Sequence, residues 1–382
     1  MTVLLRDVTG LMDRWYPPTL ASDWDAVGLV CGDPQQEVRR VMLAVDPAPP
    51  VVEEALGWGA DLLVVHHPLL LKGVHAVAAT TPKGRTLHRL IRGGCGLFAA
   101  HTNADAPTAG VNESLALALG LQDPAVIVPD PADPLDKLVT FVPHENAEEL
   151  RAAITEAGAG RIGDYDSCTF TAEGEGRFRP LDGATPTIGR VGEVEVVAES
   201  RVEAVFPRAL RREVLAALRA VHPYEEPAFD VIELADVPAA GKAARGSGRI
   251  GRLERPTTLR EFADHVGGVL PQTAHGVRVG GDPDRTVETV AVTSGAGDFL
   301  LDTVLATDAD VYVTSDLRHH RAAEFLEHGG PALVDIAHWA AEWTWLPVLE
   351  RMLVEALGGP GDTVDVRVST TCTDPWTFRG AE

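Results

Sequence analysis

The chain has 382 residues, which is long enough for two or three domains with sizeable buried cores. Hydrophobic residues make up 45% of it and charged residues 23%, a composition that is typical of folded proteins and excludes extensive disorder. Acidic residues outnumber Lys and Arg by 56 to 33, so the formal net charge is −23. Such a surface repels phosphate backbones, so we expect no broad nucleic-acid binding, although metal ions can still hold a nucleotide locally.

Cysteine usage and hydropathy indicate the cellular compartment of the protein. The 4 cysteines are scattered without a CxxC pair, so no disulfide framework is expected. Residues 1–20 show no basic start followed by an apolar stretch, and the apolar runs of the chain are too short to span a bilayer. We therefore expect a cytoplasmic protein without a membrane partner.

The first third of the chain alternates short apolar runs with helical patterns. The runs predict strands at Val41–Asp46, Leu62–His67 and Leu97–Asp105. Helices are predicted over Pro50–Gly59 and around Gly84–Arg92. This alternation favours parallel strands with helices on the faces of the sheet, that is, an α/β fold.

The middle of the chain differs from its two ends. Two linkers, Pro129–Pro134 and Ala239–Gly248, enclose about a hundred residues. Helical patterns over Ala147–Ala157 and Arg208–Val221 alternate there with strand signals. The β-α-β-β-α-β pattern predicts a small ferredoxin-like (α+β) domain inserted into a larger α/β body. The expected division is a first half of the body at 1–130, the inserted domain at 131–245 and a second half of the body at 246–382.

The last part of the chain returns to the α/β pattern. Strands are predicted at Val311–Asp316 and Leu333–His338. A helix is predicted after each strand, over Arg318–His328 and over roughly Trp339–Ala356. Ligands of open α/β sheets bind beyond the carboxyl ends of the strands, so polar residues at these ends are candidates for a site.

Two of the strand ends carry histidine or aspartate. His66 and His67 close one apolar strand; in a regular strand they would point to opposite faces, but the following Pro68 makes a turn plausible. His101 and Asp105 follow another strand. Both sets have simpler interpretations, because adjacent histidines are common and Asp105 is placed to cap the helix that begins near Asn112.

The strongest local signal is the pair His338 and Glu342. At the start of a helix these residues stand at i and i+4 on one face, where an imidazole and a carboxylate can bind one divalent ion. The alternative is an ordinary surface pair, but Trp339, Trp343 and the residues after them predict a mostly buried helix, where an unpaired carboxylate is costly.

A further group of polar residues follows the strand at Val311–Asp316. Asp316 and His320, together with His101, are candidates for orienting the metal ligands through hydrogen bonds. Asp316 is also placed to cap the following helix.

The donor types indicate the kind of ion. His66, His67, Asp105, His338 and Glu342 supply only nitrogen and oxygen, which suits Zn, Mn, Fe or Mg. Three imidazoles and two carboxylates exceed the needs of one catalytic zinc, so we expect two divalent ions per chain. Glu342 and Asp105 are the candidate catalytic residues, acting with a water molecule that the ions hold.

Six motifs resemble one known family. The chain resembles the dinuclear-metal-centre hexameric proteins often labelled GTP cyclohydrolase I type 2 or Nif-three-like, in their long form. The motifs are Trp24–Gly32, Ala60–Leu69, His101–Ala116, Thr293–Leu300, Asp310–His320 and Ala337–Trp343. The middle segment is similar to the extra domain of the longer members, on the residues Gly158–Phe170 and His222–Asp230.

The resemblance implies two intertwined α/β halves, a lid-like inserted domain and a toroidal homohexamer. It also implies that the five proposed ligands match the metal positions of the family one by one. Small departures from the pattern of the family occur at Ala26, Ser315 and Ala337.

One motif of the middle segment contributes none of the five proposed metal ligands. His222-Pro223-Tyr224-Glu225-Glu226-Pro227 is either a second ligand or metal site, or a rigid turn between prolines that holds contacts between subunits. The sequence pattern favours the turn.

Two functions are compatible with the sequence. The first is a metal-dependent hydrolase that acts on a nucleotide or phosphoester. The family label suggests GTP, but the chain has no P-loop or other recognised glycine-rich phosphate motif. The second is a non-catalytic hexamer that stores metal ions, inserts them into other proteins or has a regulatory role. Its inserted domain would sense a small ligand.

Overall fold

A computed structural model describes residues 2–131, 134–163, 165–235, 245–358 and 364–380. These residues form a mixed α/β structure that divides into two compact units. The first unit, called the body, comprises Met1–Asp130 and Gly241–Glu382, and the second, called the insert, comprises Pro131–Ala240.

The strands are, in chain order, β1 (Gly28–Cys31), β2 (Arg40–Ala44), β3 (Leu62–Val65), β4 (Gly96–Ala99), β5 (Gln122–Pro129), β6 (Leu135–Pro143), β7 (Thr169–Phe178), β8 (Glu195–Pro207), β9 (Phe229–Glu233), β10 (Gly246–Thr258), β11 (Val277–Gly280), β12 (Thr286–Ala296), β13 (Val311–Ser315), β14 (Ala332–Ile336) and β15 (Asp365–Val368).

The α-helices are α1 (Leu5–Trp15), α2 (Pro49–Trp58), α3 (Pro82–Arg92), α4 (Thr102–Asp105), α5 (Val111–Ala118), α6 (Ala147–Glu156), α7 (Arg211–Val221), α8 (Leu259–Val269), α9 (Leu301–Val304), α10 (His319–Glu327), α11 (His338–Trp343) and α12 (Leu346–Leu357). Short 3-10 helices lie at Pro18–Leu20, His144–Asn146, Arg208–Leu210 and Asp298–Leu300. Nowhere in the described residues is a helix both long and apolar enough to cross a membrane.

The body contains two sheets that exchange edge strands. Their strand orders are β1-β4-β3-β2-β15 and β11-β14-β13-β12-β10-β5. The late strand β15 pairs in parallel with β2, and the early strand β5 pairs antiparallel with β10. Each half of the chain therefore completes the sheet of the other half, and the two halves are intertwined.

Parallel strands form the centre of both sheets. β2, β3 and β4 pair in parallel in the first sheet, as do β12, β13 and β14 in the second. β3, β4, β13 and β14 are buried along their whole length. Continuous apolar strands of this kind are typical of sheets covered on both faces. One hydrophobic core joins Val41 and Phe98 of the first half to Val290 and Leu349 of the second, so the two halves share a core.

The insert has one antiparallel sheet with the strand order β7-β8-β6-β9. Its elements follow one another along the chain as β-α-β-β-α-β, the order that the sequence pattern predicts. Side chains of β6, β8, α6 and α7 form its own hydrophobic core, which includes Leu138, Phe206, Leu150 and Leu218.

Some predicted elements differ from the structure. The helix predicted over roughly Trp339–Ala356 is divided into α11 and α12. Pro347 lies in the first turn of α12; because proline lacks a backbone N–H, it is tolerated at a helix start but not within a continuous helix. The predicted linker Ala239–Gly248 lies outside the described residues up to position 244, and its last residues, Gly246–Gly248, belong to β10.

A buried arginine fixes the loop that follows α4. Arg249 of β10 is 1% exposed. Its Nη2 donates to the carbonyl oxygens of Ala106 and Pro107 at 2.7 and 3.0 Å, and its Nε lies 3.3 Å from a carboxylate oxygen of Glu113. Its Nη1 also donates to the carbonyl oxygens of Gly246 and Gly248. One guanidinium thus ties the second half of the chain to the segment that carries Asp105.

We expect Arg249→Met to lower the free energy of unfolding by about 3 kcal/mol, because it leaves four carbonyls and a carboxylate without their buried donor. Urea unfolding followed by circular dichroism measures this change. The control is Arg252→Met on the same strand, where the side chain is 66% exposed and pairs with Glu288. An exposed pair contributes at most about 1 kcal/mol. Equal losses of unfolding free energy in Arg249→Met and Arg252→Met would show that the buried contacts of Arg249 stabilise the fold no more than an exposed ion pair does.

Candidate metal centre

The structure brings together side chains from three separate parts of the chain. His66 and His67 directly follow β3, and His338 and Glu342 lie on α11 after β14. His101 precedes α4, and Asp105 is the last residue of that helix. The residues at the ends of β3, β4 and β14 therefore meet at one place in the body. Two of the predicted ligand groups, His66 with His67 and His338 with Glu342, are in direct contact through their side chains.

Glu342 lies at the centre of this group. Its side chain is buried, and the residue is 3% exposed. Oε1 lies 2.8 Å from His338 Nε2 and 3.4 Å from His66 Nε2, and Oε2 lies 3.1 Å from His67 Nε2. One carboxylate thus faces three imidazole nitrogens. We refer to Glu342 and these three histidines as the Glu342 cluster.

Each histidine of the cluster is held by its other ring nitrogen. Nδ1 of His66 lies 2.9 Å from the Ala100 carbonyl oxygen, Nδ1 of His67 lies 2.7 Å from Asp46 Oδ1, and Nδ1 of His338 lies 2.7 Å from Asp316 Oδ2. A carbonyl oxygen can only accept, so His66 donates from Nδ1 and its Nε2 faces the cluster. Histidine ligands of metal ions are commonly oriented by such bonds to a carbonyl or carboxylate.

The electrostatics of the cluster favour positive charge. Burial alone would raise the pKa of Glu342, but His67, His338 and His66 hold that pKa well below its ordinary value. Burial alone would lower the pKa of the histidines, yet the charge of Glu342 and hydrogen bonds to carboxylates raise it to about 11 for His67 and about 10 for His338. The carboxylate stays ionised and attracts cations to its surroundings.

Asp105 lies beside this cluster. Its Oδ1 is 3.7 Å from His66 Nε2. Partial burial among the residues of the site raises its pKa to about 6, with the charge of His66 lowering it and that of Glu342 raising it. The interpretation of Asp105 as a helix cap is wrong, because α5 begins after Gly110 and has no side-chain cap. Instead, Asn112 Nδ2 donates to the backbone carbonyl of Asp105 at 2.9 Å and fixes its position.

His101 lies closer to the cluster than an orienting role requires. One ring nitrogen each of His66, His67 and His101 lies within 4.8 Å of the others. His101 Nδ1 lies 2.9 Å from Asp25 Oδ1, and Asp25 also accepts hydrogen bonds from the backbone and hydroxyl of Thr102. The Asp25 carboxylate thus orients His101 as Asp46 orients His67.

The two other candidates for an orienting role occupy different surroundings. Asp316 does not cap α10, which begins after Arg318 without a side-chain cap; it contacts His338, as given above. That hydrogen bond is the main reason why the pKa of Asp316 is lowered. His320 is exposed on α10, with its ring against that of His319, and makes no contact with the cluster within the described part of the chain.

The arrangement fits a metal ion. His67, His338 and Glu342 form a second group of donors within 4.8 Å of one another. His66 Nε2 and Glu342 Oε2 are buried and have no hydrogen-bond partner among the described residues, although Oε2 forms an ion-pair contact with His67 Nε2 at 3.1 Å. Buried polar atoms normally have a partner, and a divalent cation would satisfy both of these atoms at once. This His/Glu group can therefore hold a metal ion.

Two cavities adjoin the cluster. The larger has a volume of about 500 Å³, and its walls include Trp24, His101, Asp105, Phe299, His338 and Glu342. The smaller has a volume of about 230 Å³, and its walls include Asp46, His67, His275, Asp316, His338 and Trp376. The larger cavity lies within the range of small-molecule sites.

Sequence analysis did not single out two of the orienting carboxylates. Asp46 is the last residue of the predicted strand Val41–Asp46, and Asp25 lies in the motif Trp24–Gly32. Asp46 follows an apolar strand, as His66 and His101 do, and this position is the signal that could have identified it. Asp25 precedes β1 and has no comparable local signal.

Comparison with known proteins identifies the relatives of this fold and site. The profile of the Duf34/NIF3 (NGG1p interacting factor 3) family matches residues 3–375. A Mycobacterium tuberculosis protein named GTP cyclohydrolase 1 type 2 homolog is 54% identical over 377 residues, covering 98% of this chain and 97% of its own. A Bacillus subtilis protein of the same name is 38% identical over 373 residues, covering 98% of both chains.

Solved structures agree with this relationship. The crystal structure of a Bacillus cereus protein related to NIF3 superposes with a TM-score of 0.80 at 36% identity and covers 99% of this chain and all of the other. A Staphylococcus aureus protein gives a TM-score of 0.81 at 29% identity, covering 99% of both chains. The resemblance drawn from the motifs is confirmed: this chain is a member of the Duf34/NIF3 family.

Proposed function

We propose that this protein is a metal-dependent hydrolase that acts on a nucleotide or another phosphoester. The observation that carries the proposal is the convergence of three fixed imidazoles on the buried carboxylate of Glu342. The name shared by the M. tuberculosis and B. subtilis relatives refers to GTP and agrees with a nucleotide as the substrate class.

The proposed ligands of two divalent ions are His66, His67, Asp105, His338 and Glu342. Two such ions would supply Lewis acidity that lowers the pKa of water and polarises a phosphoryl group. We add His101 to these ligands, because its ring nitrogen lies with those of His66 and His67 and its Nδ1 is already held by a carboxylate. The donor set of nitrogen and oxygen suits Zn, Mn, Fe or Mg.

Charge balance supports an anionic substrate. Two divalent ions formally bring four positive charges, whereas Asp105 and Glu342 supply two negative ones. The neighbouring carboxylates Asp25, Asp46 and Asp316 are engaged with the histidines on the side away from the ions. A negatively charged phosphate group would neutralise the remaining positive charge of the ions, whereas an uncharged molecule would not.

The larger cavity supports a substrate with a planar ring. Trp24 and Phe299 line it and are 58% and 60% exposed. Exposed aromatic rings that border a cavity offer stacking surfaces for a nucleobase. Asp105 and Glu342 line the same cavity, so a nucleotide bound there would lie next to both proposed catalytic carboxylates.

The two carboxylates receive different roles. Glu342 is buried and faces three imidazoles, so we assign to it the bridge between the two ions. Asp105 has a side chain that is 31% exposed and borders the cavity, so it can accept a hydrogen bond from a water molecule and orient it toward the substrate. The difference in burial supports this proposal, in which Glu342 holds the ions and Asp105 contacts the reacting molecules.

The enzymatic function is tested on protein purified without added metal. Its metal content is measured first, and the same preparation is then assayed against a panel of nucleotides and phosphoesters. We expect turnover of at least one phosphorylated substrate, loss of that turnover with a chelator, and recovery when the metal is restored. Tight metal binding without turnover of any member of the panel would contradict the hydrolase and favour a non-catalytic, metal-handling protein.

Glu342→Gln tests the bridging role. The variant keeps the shape of the side chain but removes one charge and weakens the capacity to bind two ions. We expect it to lose at least one ion per chain, because each hard divalent ion needs at least about four ligands and five or six side chains must serve both. Elemental analysis after dialysis measures the metal content.

The matched control is Glu327→Gln, which changes an exposed glutamate of α10 in the same way. Its metal content should equal that of the unaltered protein. Retention of two ions per chain with unchanged affinity in Glu342→Gln would show that another residue forms the bridge, and Asp105 would be the next candidate.

We also propose that the protein forms a closed homo-oligomer of six chains. Soluble homo-oligomers usually adopt closed symmetry. Trp376 and Phe378 are 67% and 81% exposed and are candidate contacts with another chain. Light scattering should give about six times the chain mass of 40.7 kDa. A mass of one chain at micromolar concentration would exclude the assembly.

A further inference from the structure

The insert contains a cavity that the proposed hydrolase does not use. Its volume is about 640 Å³, within the range of small-molecule sites. Its walls come from β7, from the segment that joins β7 to β8, and from the turn of the motif His222–Pro227. They include the aromatic rings of Phe141, Phe178 and Tyr224 together with Pro180, Pro186 and Ile188.

The structure shows what the motif in this turn does. His222 Nε2 lies 2.9 Å from the Phe141 carbonyl oxygen, and His222 Nδ1 accepts from the backbone N–H of Tyr224 at 3.2 Å. Both ring nitrogens therefore bond to the backbone, so His222 holds the turn and is not available as a metal ligand. Burial lowers the pKa of His222, which keeps the ring neutral. The turn directs Tyr224 and Glu225 to the cavity wall.

A buried carboxylate forms part of this wall. Glu199 of β8 is 7% exposed, and its Oε1 accepts a hydrogen bond from the Tyr224 hydroxyl at 2.6 Å. An added Cβ on Gly176 would lie 2.1 Å from Glu199 Oε2, so the glycine on the neighbouring strand leaves room for the carboxylate. The position of Glu199 thus depends on residues of two other segments.

Glu199 has no ion-pair partner among the residues that the structure describes. Two arginines of the cavity wall pair elsewhere, Arg177 with Glu175 and Arg201 with Glu203, each at 2.8 Å. Neutral His222 cannot supply the missing charge. The carboxylate is therefore available to pair with a cation from outside the chain, and in a buried position such a pair is little screened by water.

The aromatic rings beside Glu199 suit the same kind of ligand. The rings of Phe178 and Tyr224 lie 5.5 Å apart between centroids, at an angle of 60°. Aromatic faces attract ammonium groups, and the apolar walls can bury an organic body attached to such a group. We propose that this cavity is a binding site for a small organic cation, an ammonium group on an aromatic or aliphatic body, with Glu199 as its counter-ion.

The proposal is tested by titrating the full-length protein with 2-phenylethylamine, which is protonated at neutral pH, in a calorimeter. We expect saturable binding with a Kd of about 1 mM or below, which is reasonable for so small a probe. The matched anion 3-phenylpropionate should not bind, although Arg179 also lines the cavity. Failure of the amine to bind, or preference for the anion, would overturn the proposal.

Variants locate the binding. Glu199→Gln should weaken binding of the amine by about tenfold or more, because it removes a charge-assisted hydrogen bond. Tyr224→Phe keeps the ring and should weaken it only a few-fold. The control Glu193→Gln changes an exposed glutamate outside the cavity and should leave the Kd unchanged. Equal affinity of Glu199→Gln and unaltered protein would overturn the assignment.

Two further measurements test whether Glu199 lacks a counter-ion and whether the cavity is open to a ligand. Without ligand, Glu199→Gln should melt at the same temperature as unaltered protein or higher, because the buried charge is removed. A lower melting temperature would show that Glu199 is already compensated within the protein and would count against the proposal. Amine binding that appears only when dilution dissociates the protein would show that a second copy of the chain fills the cavity, which also overturns it.

Discussion

The buried charge of Glu342 is the constraint on which the body depends. A carboxylate that is 3% exposed must be neutralised, and the three imidazoles around it can do so only as cations or as ligands of cations. Their Nδ1 atoms are fixed by a carbonyl and two carboxylates, so the rings cannot turn away from Glu342. The cluster is thus built in advance for positive charge, which reduces the cost of reorganisation when an ion binds.

The arrangement of the two sheets of the body brings these side chains together. The ligand-bearing segments follow β3, β4 and β14, which lie in two different sheets. Exchange of β5 and β15 interlocks these sheets, and Arg249 ties the loop after α4 to β10. The positions of the side chains in the site therefore depend on contacts between parts of the chain that are more than a hundred residues apart. The insert contains a separate cavity, which is lined by the buried Glu199.

The sequence predicts the parts of this structure that local pattern determines. Apolar strands that end in His66 or before His338 are visible because burial on both faces selects continuous hydrophobic runs. The i, i+4 spacing of His338 and Glu342 likewise predicts their shared helix face. Asp25 and the ligand-like position of His101 depend on which loops meet in space, and no local pattern records this. β7, with its exposed and glycine-containing sequence, also lacks a strong strand signal.

The exchange of β15 has a consequence for biosynthesis. β15 (Asp365–Val368) pairs with β2 (Arg40–Ala44), although more than 300 residues separate the two strands along the chain. During synthesis the first sheet therefore exposes the edge of β2 until β15 has been made, whereas the strands of the insert in the described residues are complete at Glu233. During this interval the unpaired edge of β2 is open to aggregation, because an exposed strand edge can pair with another chain.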